Sequence, residues 1–265
     1  MRELSRVFQG VLFSPLDVVS KGQTLIALWK HECDRVFSDK LTNFKDKKWF
    51  EENLHRIMSA KFGEGVAEDF RSLKEPIYFV DFLRDEIIDE DTDEVLEDAP
   101  KIYERVPSVS GLRQRVDDYL ARYNAQGGGK QQMSLVMFED ALEHMMRISR
   151  IIGMPRGNAL LVGVGGSGRQ SLARLAAYIA RQDVFQITIT RAYKMSDFLD
   201  DVRKLYVSVG KEGRRTTWIL TDFDIINEEV GSFLRRHHSA AQAATRAGKC
   251  DGKWIAASAL LLLTT

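Results

Sequence analysis

The chain has 265 residues, of which 44% are hydrophobic and 29% charged, as in an ordinary globular protein. Its 38 basic and 38 acidic side chains give a formal net charge of zero. A chain so balanced has no overall field to attract nucleic acid or an anionic membrane, so we expect neither as a partner. Its two cysteines, Cys33 and Cys250, exclude a disulfide framework and a CxxC metal motif.

The two ends of the sequence lack the pattern of an export or membrane segment. Residues 1–13 carry charges throughout, unlike the apolar centre of a secretory signal. The apolar run at 255–263 is shorter than the roughly 20 residues that cross a bilayer. We therefore expect a soluble cytoplasmic protein. The histidines show no HExxH spacing, and we expect no metal site built from them.

Residues 1–75 are predicted to form a small helical bundle. Their apolar residues recur every three or four positions, as on helices that bury one face. These residues are Leu25, Leu28, Trp29, Cys33, Val36, Phe37, Trp49, Phe50, Leu54 and Ile57. The pattern indicates a core and no chemistry.

Residues 76–130 are predicted to form a helical and acidic connector. The acidic stretch at 85–98 lacks the ligand order and the glycine of an EF-hand, so we expect a solvated segment and no metal site. A helix is predicted over 109–123. The three consecutive glycines at 127–129 then predict a flexible loop and a domain boundary.

Residues 131–230 show the alternation of an α/β domain. The predicted elements are a helix over 135–152, a strand over 159–162, a helix over 171–181, a strand over 185–190, a helix over 195–209 and a strand over 217–221. The first strand is a continuous apolar run, which is typical of a buried parallel strand. This alternation predicts a parallel sheet with helices on both faces.

Residues 231–265 differ from the rest of the chain. A basic, alanine-rich segment leads into the apolar run at 256–263, and neither has a clear place in the α/β pattern. Without a further strand, a sheet that stops at three strands would leave an unpaired edge.

A glycine-rich turn lies between the first predicted strand and the helix that follows it. Glycines in this position let backbone N–H groups curl around phosphate oxygens, and the helix N-terminus adds its positive dipole end. The turn therefore predicts a phosphate-binding loop. Its candidate residues are Gly163, Gly165, Gly166, Ser167, Gly168, Arg169, Gln170 and Ser171.

The loop departs from the Walker A motif at two positions. Gly163 and Gly168 have the motif's spacing, but Arg169 and Gln170 stand where Lys and Ser or Thr are expected. Arg169 keeps the positive charge, although its planar fork is not a point charge like lysine. Gln170 lacks the hydroxyl that ligates Mg²⁺, and Ser171 would replace it only if the turn shifts by one residue. We expect nucleotide binding with weak or no hydrolysis.

The third predicted strand ends in a candidate Walker B aspartate. Asp222 follows the strand and is predicted to hold Mg²⁺ or its water. Phe223 stands where a hydrolytic site usually has a glutamate, and the nearby Asp224, Glu228 and Glu229 are not at that position. This second departure also predicts poor hydrolysis.

Two alternatives from other functional classes stay open at this point. Gly163, Gly165 and Gly168 also satisfy G-x-G-x-x-G, so a Rossmann-type oxidoreductase is the second interpretation. Arg191, where an acidic residue would bind the ribose, argues against NAD and leaves NADP open. The Walker B aspartate favours ATP. The third interpretation is a non-catalytic interaction module that binds no nucleotide.

Several segments resemble axonemal dynein heavy chains. Residues 155–176 resemble the P-loop of the fourth AAA+ module, where the family reads GVGGSGRQSL, so Arg169 and Gln170 agree with the family. Residues 133–138 are similar to the stretch that leads into this module, which implies that the region of Leu135 and Val136 lines the adenine pocket. Residues 2–10 resemble the opening of the helical lid of the third module. The likeness extends to about residue 230.

This resemblance implies a fold class and a cellular role. The fold would be a helical bundle segment followed by part of a P-loop AAA+ α/β domain, with ATP or ADP and Mg²⁺ as cofactors. The role would be in a microtubule-based motor of the ciliary or flagellar axoneme, where the fourth module regulates. The implied partners are other AAA+ modules of the same heavy chain and dynein intermediate and light chains, with microtubules bound only through parts outside this sequence.

Overall fold

A computed structural model of the chain describes residues 2–73, 76–88, 95–97, 99–126, 132–155, 157–190, 192–221, 224 and 257–264. The chain divides into two compact units, Met1–Arg115 and Val116–Thr265, and each is described by itself. Among the described residues, no helix combines the length and the apolarity needed to cross a bilayer.

The first unit begins with four α-helices. They are α1 (Arg2–Val11), α2 (Gly22–Val36), α3 (Phe44–Phe62) and α4 (Glu64–Arg71), with a short 3₁₀ turn at Ser38–Lys40. Asn43 caps α3 by accepting a hydrogen bond from the N–H of Lys45 at 3.0 Å. Gly63, with φ of 86°, separates α3 from α4 because its backbone conformation is one that other residues rarely adopt. The predicted helical segment is confirmed.

Apolar side chains of these helices form the core of the first unit. One cluster of buried residues contains Val7, Cys33, Val36, Leu54, Met58 and Phe70. Burial raises the pKa of the Cys33 thiol to about 12, with the nearby carboxylates of Asp34 and Glu32 adding to the shift. Cys33 is therefore an uncharged core residue at neutral pH.

The predicted connector contains two short strand pairs. β1 (Phe79–Val80) pairs antiparallel with β4 (Glu104–Arg105), and β2 (Ile87–Ile88) pairs antiparallel with β3 (Val95–Glu97). Strands β2 and β3 lie in the acidic segment over 85–98, where apolar residues that favour strands interrupt the acidic run, and the solvation of this segment stays a prediction. Helix α5 (Val109–Gln126) follows, and the boundary between the two units falls within it.

The second unit contains the α/β alternation. Its elements are α6 (Glu139–Gly153), β5 (Asn158–Gly163), α7 (Arg169–Ile179), β6 (Asp183–Phe185), α8 (Met195–Gly210), β7 (Thr216–Thr221) and β8 (Ala257–Thr264). Helix α6 begins later than predicted, and residues 132–138 before it belong to no helix or strand. Strand β6 is shorter than predicted and begins earlier.

The strands form one parallel sheet in the order β5-β8-β7-β6. The prediction that the apolar run near the end of the chain has no place in the α/β pattern is wrong, since β8 lies between β5 and β7. Leu261 is in register with Leu160 on one side and Leu220 on the other. A continuous aliphatic run is what a strand inside a parallel sheet requires.

Helices cover both faces of β7. Leu220 and Trp218 pack with Phe198 and other residues of α8. Successive side chains of a strand alternate between faces, and the Thr217 hydroxyl donates to Gln182, just beyond α7, at 2.7 Å. The predicted parallel sheet with helices on both faces is confirmed.

Strand β5 differs from the prediction of a fully buried strand. It lies at one edge of the four described strands. Leu160 and Val162 are 58% and 57% exposed, so one face of β5 is open to solvent.

Candidate nucleotide-binding site

The loop between β5 and α7 has the backbone shape that the sequence predicts. Gly166 and Gly168 adopt φ of 78° and 76°, which is left-handed backbone that favours glycine. A hydrogen bond from the Ser167 N–H to the Val164 carbonyl, 3.3 Å long, closes the turn. A Cβ placed on Gly165 or Gly166 would meet no atom within 4 Å. The space next to these two glycines is therefore open.

Helix α7 directs its first N–H groups toward this loop. Gly168 is its N-cap and supplies no side-chain hydrogen bond. The first intrahelical bond runs from the Leu172 N–H to the Gly168 carbonyl at 2.9 Å. Three N–H groups precede that bond, those of Arg169, Gln170 and Ser171. They belong to the first turn of the helix, whose N–H groups can donate hydrogen bonds to an anion.

Arg169 folds back onto the backbone of the loop. Its two terminal nitrogens donate to the carbonyls of Leu161 at 3.3 Å and Val164 at 3.0 Å. The guanidinium carbon lies 3.8 Å from the position that a Cβ would take on Gly163. The positive charge is thus at the base of the loop, and its planar fork spans two carbonyls at once.

The segment 132–138, which belongs to no helix or strand and is here called the strap, passes beside the loop. A side-chain carbon of Leu135 lies 3.5 Å from the position that a Cβ would take on Gly168. Val136 is 79% exposed next to it. The structure therefore brings the predicted base-binding region to the edge of the phosphate loop, through Leu135 as the contacting residue.

The end of β7 is described only in part. Asp222 and Phe223 lie outside the described residues, as do Glu228 and Glu229. Asp224 is buried, and its Oδ2 accepts hydrogen bonds from the N–H and the hydroxyl of Thr221 at 2.8 and 2.9 Å. Asp224 is therefore a capping residue of the strand end. The Thr-x-x-Asp spacing was the only sequence signal for this role.

The sequence did not predict a group of hydrogen-bonded polar side chains next to this strand end. The Tyr193 hydroxyl donates to Asp201 at 2.7 Å, and Lys204 donates to the other oxygen of that carboxylate at 2.8 Å. Burial, followed by the bond to Asp201, raises the pKa of Tyr193, and the charge of Asp224 contributes to the shift. The bond from Lys204 lowers the pKa of Asp201. Tyr193 is an uncharged donor at physiological pH.

The strand order separates a P-loop domain from a Rossmann domain. In a Rossmann sheet, ordered 3-2-1-4-5-6, the strand before the glycine-rich turn lies directly beside the second strand. Here β5 pairs with β8, and β6 lies at the opposite edge of the described sheet. The fold and the loop define a P-loop nucleotide-binding domain of the AAA+ class, and the Rossmann alternative is not supported.

Comparisons with known families agree with this class. Residues 133–236 match the family profile described as the P-loop containing dynein motor region D4. Residues 1–73 match the AAA+ lid domain. The first match extends beyond residue 230, so the point where the family likeness was predicted to end lies too early.

Individual relatives give the same family. The chain is 41% identical over 244 residues to dynein axonemal heavy chain 5 of Mus musculus and 42% identical over 245 residues to dynein axonemal heavy chain 8 of Homo sapiens. It is 38% identical over 229 residues to the dynein-1-alpha heavy chain of the flagellar inner arm I1 complex of Chlamydomonas reinhardtii. These matches cover 86–91% of this chain and 5% of each relative.

The chain belongs to the axonemal dynein heavy chain family, as the resemblance of its P-loop predicted. It spans about 5% of the length of the curated relatives it matches. The family assignment implies a nucleotide-binding fold. The roles of individual loop, strap and metal residues stay predictions.

Proposed function

We propose that this chain binds ATP or ADP with Mg²⁺ and acts as a regulatory nucleotide module of a dynein heavy chain. The phosphates would lie in the loop, the base against the strap near Val136, and the metal beside Asp222. The proposed phosphate-binding residues are Gly163, Gly165, Gly166, Ser167, Gly168, Arg169, Gln170 and Ser171.

One observation carries this proposal. At the carboxyl end of β5, a loop with two glycines in left-handed backbone leads into α7, whose N-cap is a glycine without a side chain. Such an arrangement leaves amide donors and the positive end of the helix dipole for an anion. The open space over Gly165 and Gly166 fits a phosphate group at that position.

Weak or absent hydrolysis is part of the proposal. Gln170 supplies no hydroxyl to a metal, and Phe223 supplies no carboxylate to orient water. The described acid nearest to that position, Asp224, is engaged with Thr221. A site that binds without rapid turnover suits a regulatory role, because bound nucleotide biases the conformation that it prefers.

The names of the relatives suggest where in the cell this chain acts. They are named as axonemal or flagellar dynein heavy chains. We therefore propose that this module works in a microtubule-based motor of the cilium or flagellum, as part of the axonemal cytoskeleton. Its partners would be neighbouring AAA+ modules and the dynein intermediate and light chains. Microtubules would be bound by other parts of the motor.

The binding proposal is tested by titrating the chain with ADP, with and without Mg²⁺, in a calorimeter. Gly166→Val should weaken binding at least about tenfold, since it places a branched side chain in left-handed backbone inside the loop. Gly213→Val is the matched control, because Gly213 also has a positive φ of 70° and open space around it but lies between α8 and β7. Equal losses in both variants, or no ADP binding by the folded wild type, would overturn the proposal.

The cellular proposal is tested with an antibody to residues 131–150 on isolated axonemes and cytosol. A very large band in the axoneme is expected. A band near 30.2 kDa that is confined to the cytosol would contradict the motor role.

A further inference from the structure

The last turn of α5 holds the strap through a single side chain. The Asn124 amide donates to the Met133 carbonyl at 3.0 Å and accepts from the Met133 N–H at 2.8 Å. One side chain therefore satisfies both backbone groups of Met133, as a neighbouring strand would. This two-way bond fixes both the position and the orientation of the strap at its start.

The same turn of α5 is joined to the helix that begins at the phosphate loop. The Tyr123 and Tyr178 rings meet edge to face, with centroids 5.2 Å apart and an interplanar angle of 83°. The Tyr178 hydroxyl also donates to the side chain of Gln126 at 3.0 Å. Since Tyr178 belongs to α7, the last turn of α5 contacts both the strap and the phosphate-loop helix.

The strap is anchored at its other end as well. Met137 is buried, and Phe138 accepts the first hydrogen bond of α6, from the Leu142 N–H at 3.0 Å. Between the anchors at Met133 and Met137, Leu135 contacts the loop at Gly168 and Val136 is exposed. The strap is thus held at both ends with its middle beside the loop.

We propose that Asn124 is a positioning residue for the base side of the nucleotide site. It touches no nucleotide and acts through Met133, by holding the strap at a fixed distance from the loop. A pre-ordered strap binds more tightly, because binding then loses less conformational freedom. The phosphates would bind to the loop, whereas the two hydrogen bonds of the Asn124 side chain go to Met133 of the strap. This inference rests on the proposed nucleotide site.

The test compares two probes on the same protein, ADP and inorganic tripolyphosphate. Asn124→Ala should weaken ADP binding about tenfold. The variant loses the two hydrogen bonds that order the strap, so ADP binding must then supply that order. Tripolyphosphate binding should change less than about twofold, because it has no base to contact the strap. Asn53→Ala is the matched control: Asn53 also makes one donor and one acceptor bond, to Trp49 and Arg56, but lies on α3.

A second measurement needs no ligand. In Asn124→Ala, hydrogen exchange of the Met133 amide and the strap should accelerate at least about tenfold, while α7 stays protected. Asn124→Asp keeps the acceptor for the Met133 N–H and should lie between Ala and wild type. Equal weakening of both probes, or unchanged ADP binding and unchanged exchange, would overturn the inference. A wild type that binds neither probe would instead overturn the proposed nucleotide site, and this inference with it.

Discussion

At Arg169, the sequence predicts the charge of the side chain but not its contacts. The sequence predicts a positive charge at the phosphate loop. It does not predict that the guanidinium donates to the carbonyls of Leu161 and Val164, because this contact depends on the shape of the turn. A phosphate that recruits Arg169 must compete with these two bonds. The side chain therefore stabilises the ligand-free loop as well as being available to an anion.

Restoring the Walker A residues should change this balance. In the double variant Arg169→Lys and Gln170→Thr, the lysine loses the planar fork that spans two carbonyls, and the threonine supplies a hydroxyl for Mg²⁺. We expect ADP affinity to rise by about three- to tenfold, or to become more dependent on Mg²⁺. Titration calorimetry with and without Mg²⁺ measures both effects. Unchanged affinity and unchanged metal dependence would show that the two positions are assigned wrongly.

At the scale of elements, the sequence predicted the helices and strands that depend on short-range periodicity. The alternation from α6 to β7 has periodicities that a short window contains, so those elements were predicted with shifted ends. Strand β8 was missed, because its place depends on pairing with β5 and β7, which lie far away in the sequence. The exposure of Leu160 and Val162 was missed for the same reason, since apolar composition does not say which strand is at an edge.

The interior position of β8 gives a test of the sheet order. Leu261→Pro removes a ladder N–H and should destabilise the second unit by about 3 kcal/mol or more, because proline is excluded from the middle of a sheet. Leu261→Val, a residue that favours strands, should cost less than about 1.5 kcal/mol. Urea unfolding followed by hydrogen exchange of β5 and β7 measures the effect. Equal, small changes in both variants would place β8 outside the sheet.

The junction between α6 and β5 depends on one glycine. A Cβ on Gly157 would lie 1.7 Å from the Ile151 carbonyl oxygen, so the backbone must move to admit it. Gly157→Ala should therefore lower the free energy of unfolding by about 1–3 kcal/mol. Gly22→Ala is the control, because a Cβ at Gly22, the first residue of α2, meets no atom within 4 Å. Urea denaturation curves in which both variants match the wild type would contradict this packing.

At the scale of the whole chain, the residue string of the phosphate loop identified the family. The division into two compact units determines which part of the chain a bound nucleotide stabilises directly. The loop, the strap, α5 after residue 115 and the sheet all belong to the second unit. The lid-like helices α1 to α4 belong to the first. The sequence predicted a helical part and an α/β part. It did not predict that the unit boundary falls inside α5, because a continuous helical pattern carries no signal of a change in tertiary contacts.

ADP should therefore stabilise the two units unequally. A ligand that binds only the folded second unit adds RT ln(1 + [L]/Kd), about 2.7 kcal/mol when ADP is present at a hundred times its dissociation constant. Hydrogen exchange with and without ADP should show the largest added protection in the strap, at the start of α7 and in β5, with little change in α1 and α3. Gly166→Val should abolish this difference and Gly213→Val should keep it. Protection that appears only in the first unit would place the nucleotide elsewhere, because a ligand stabilises first the residues that must be ordered for it to bind.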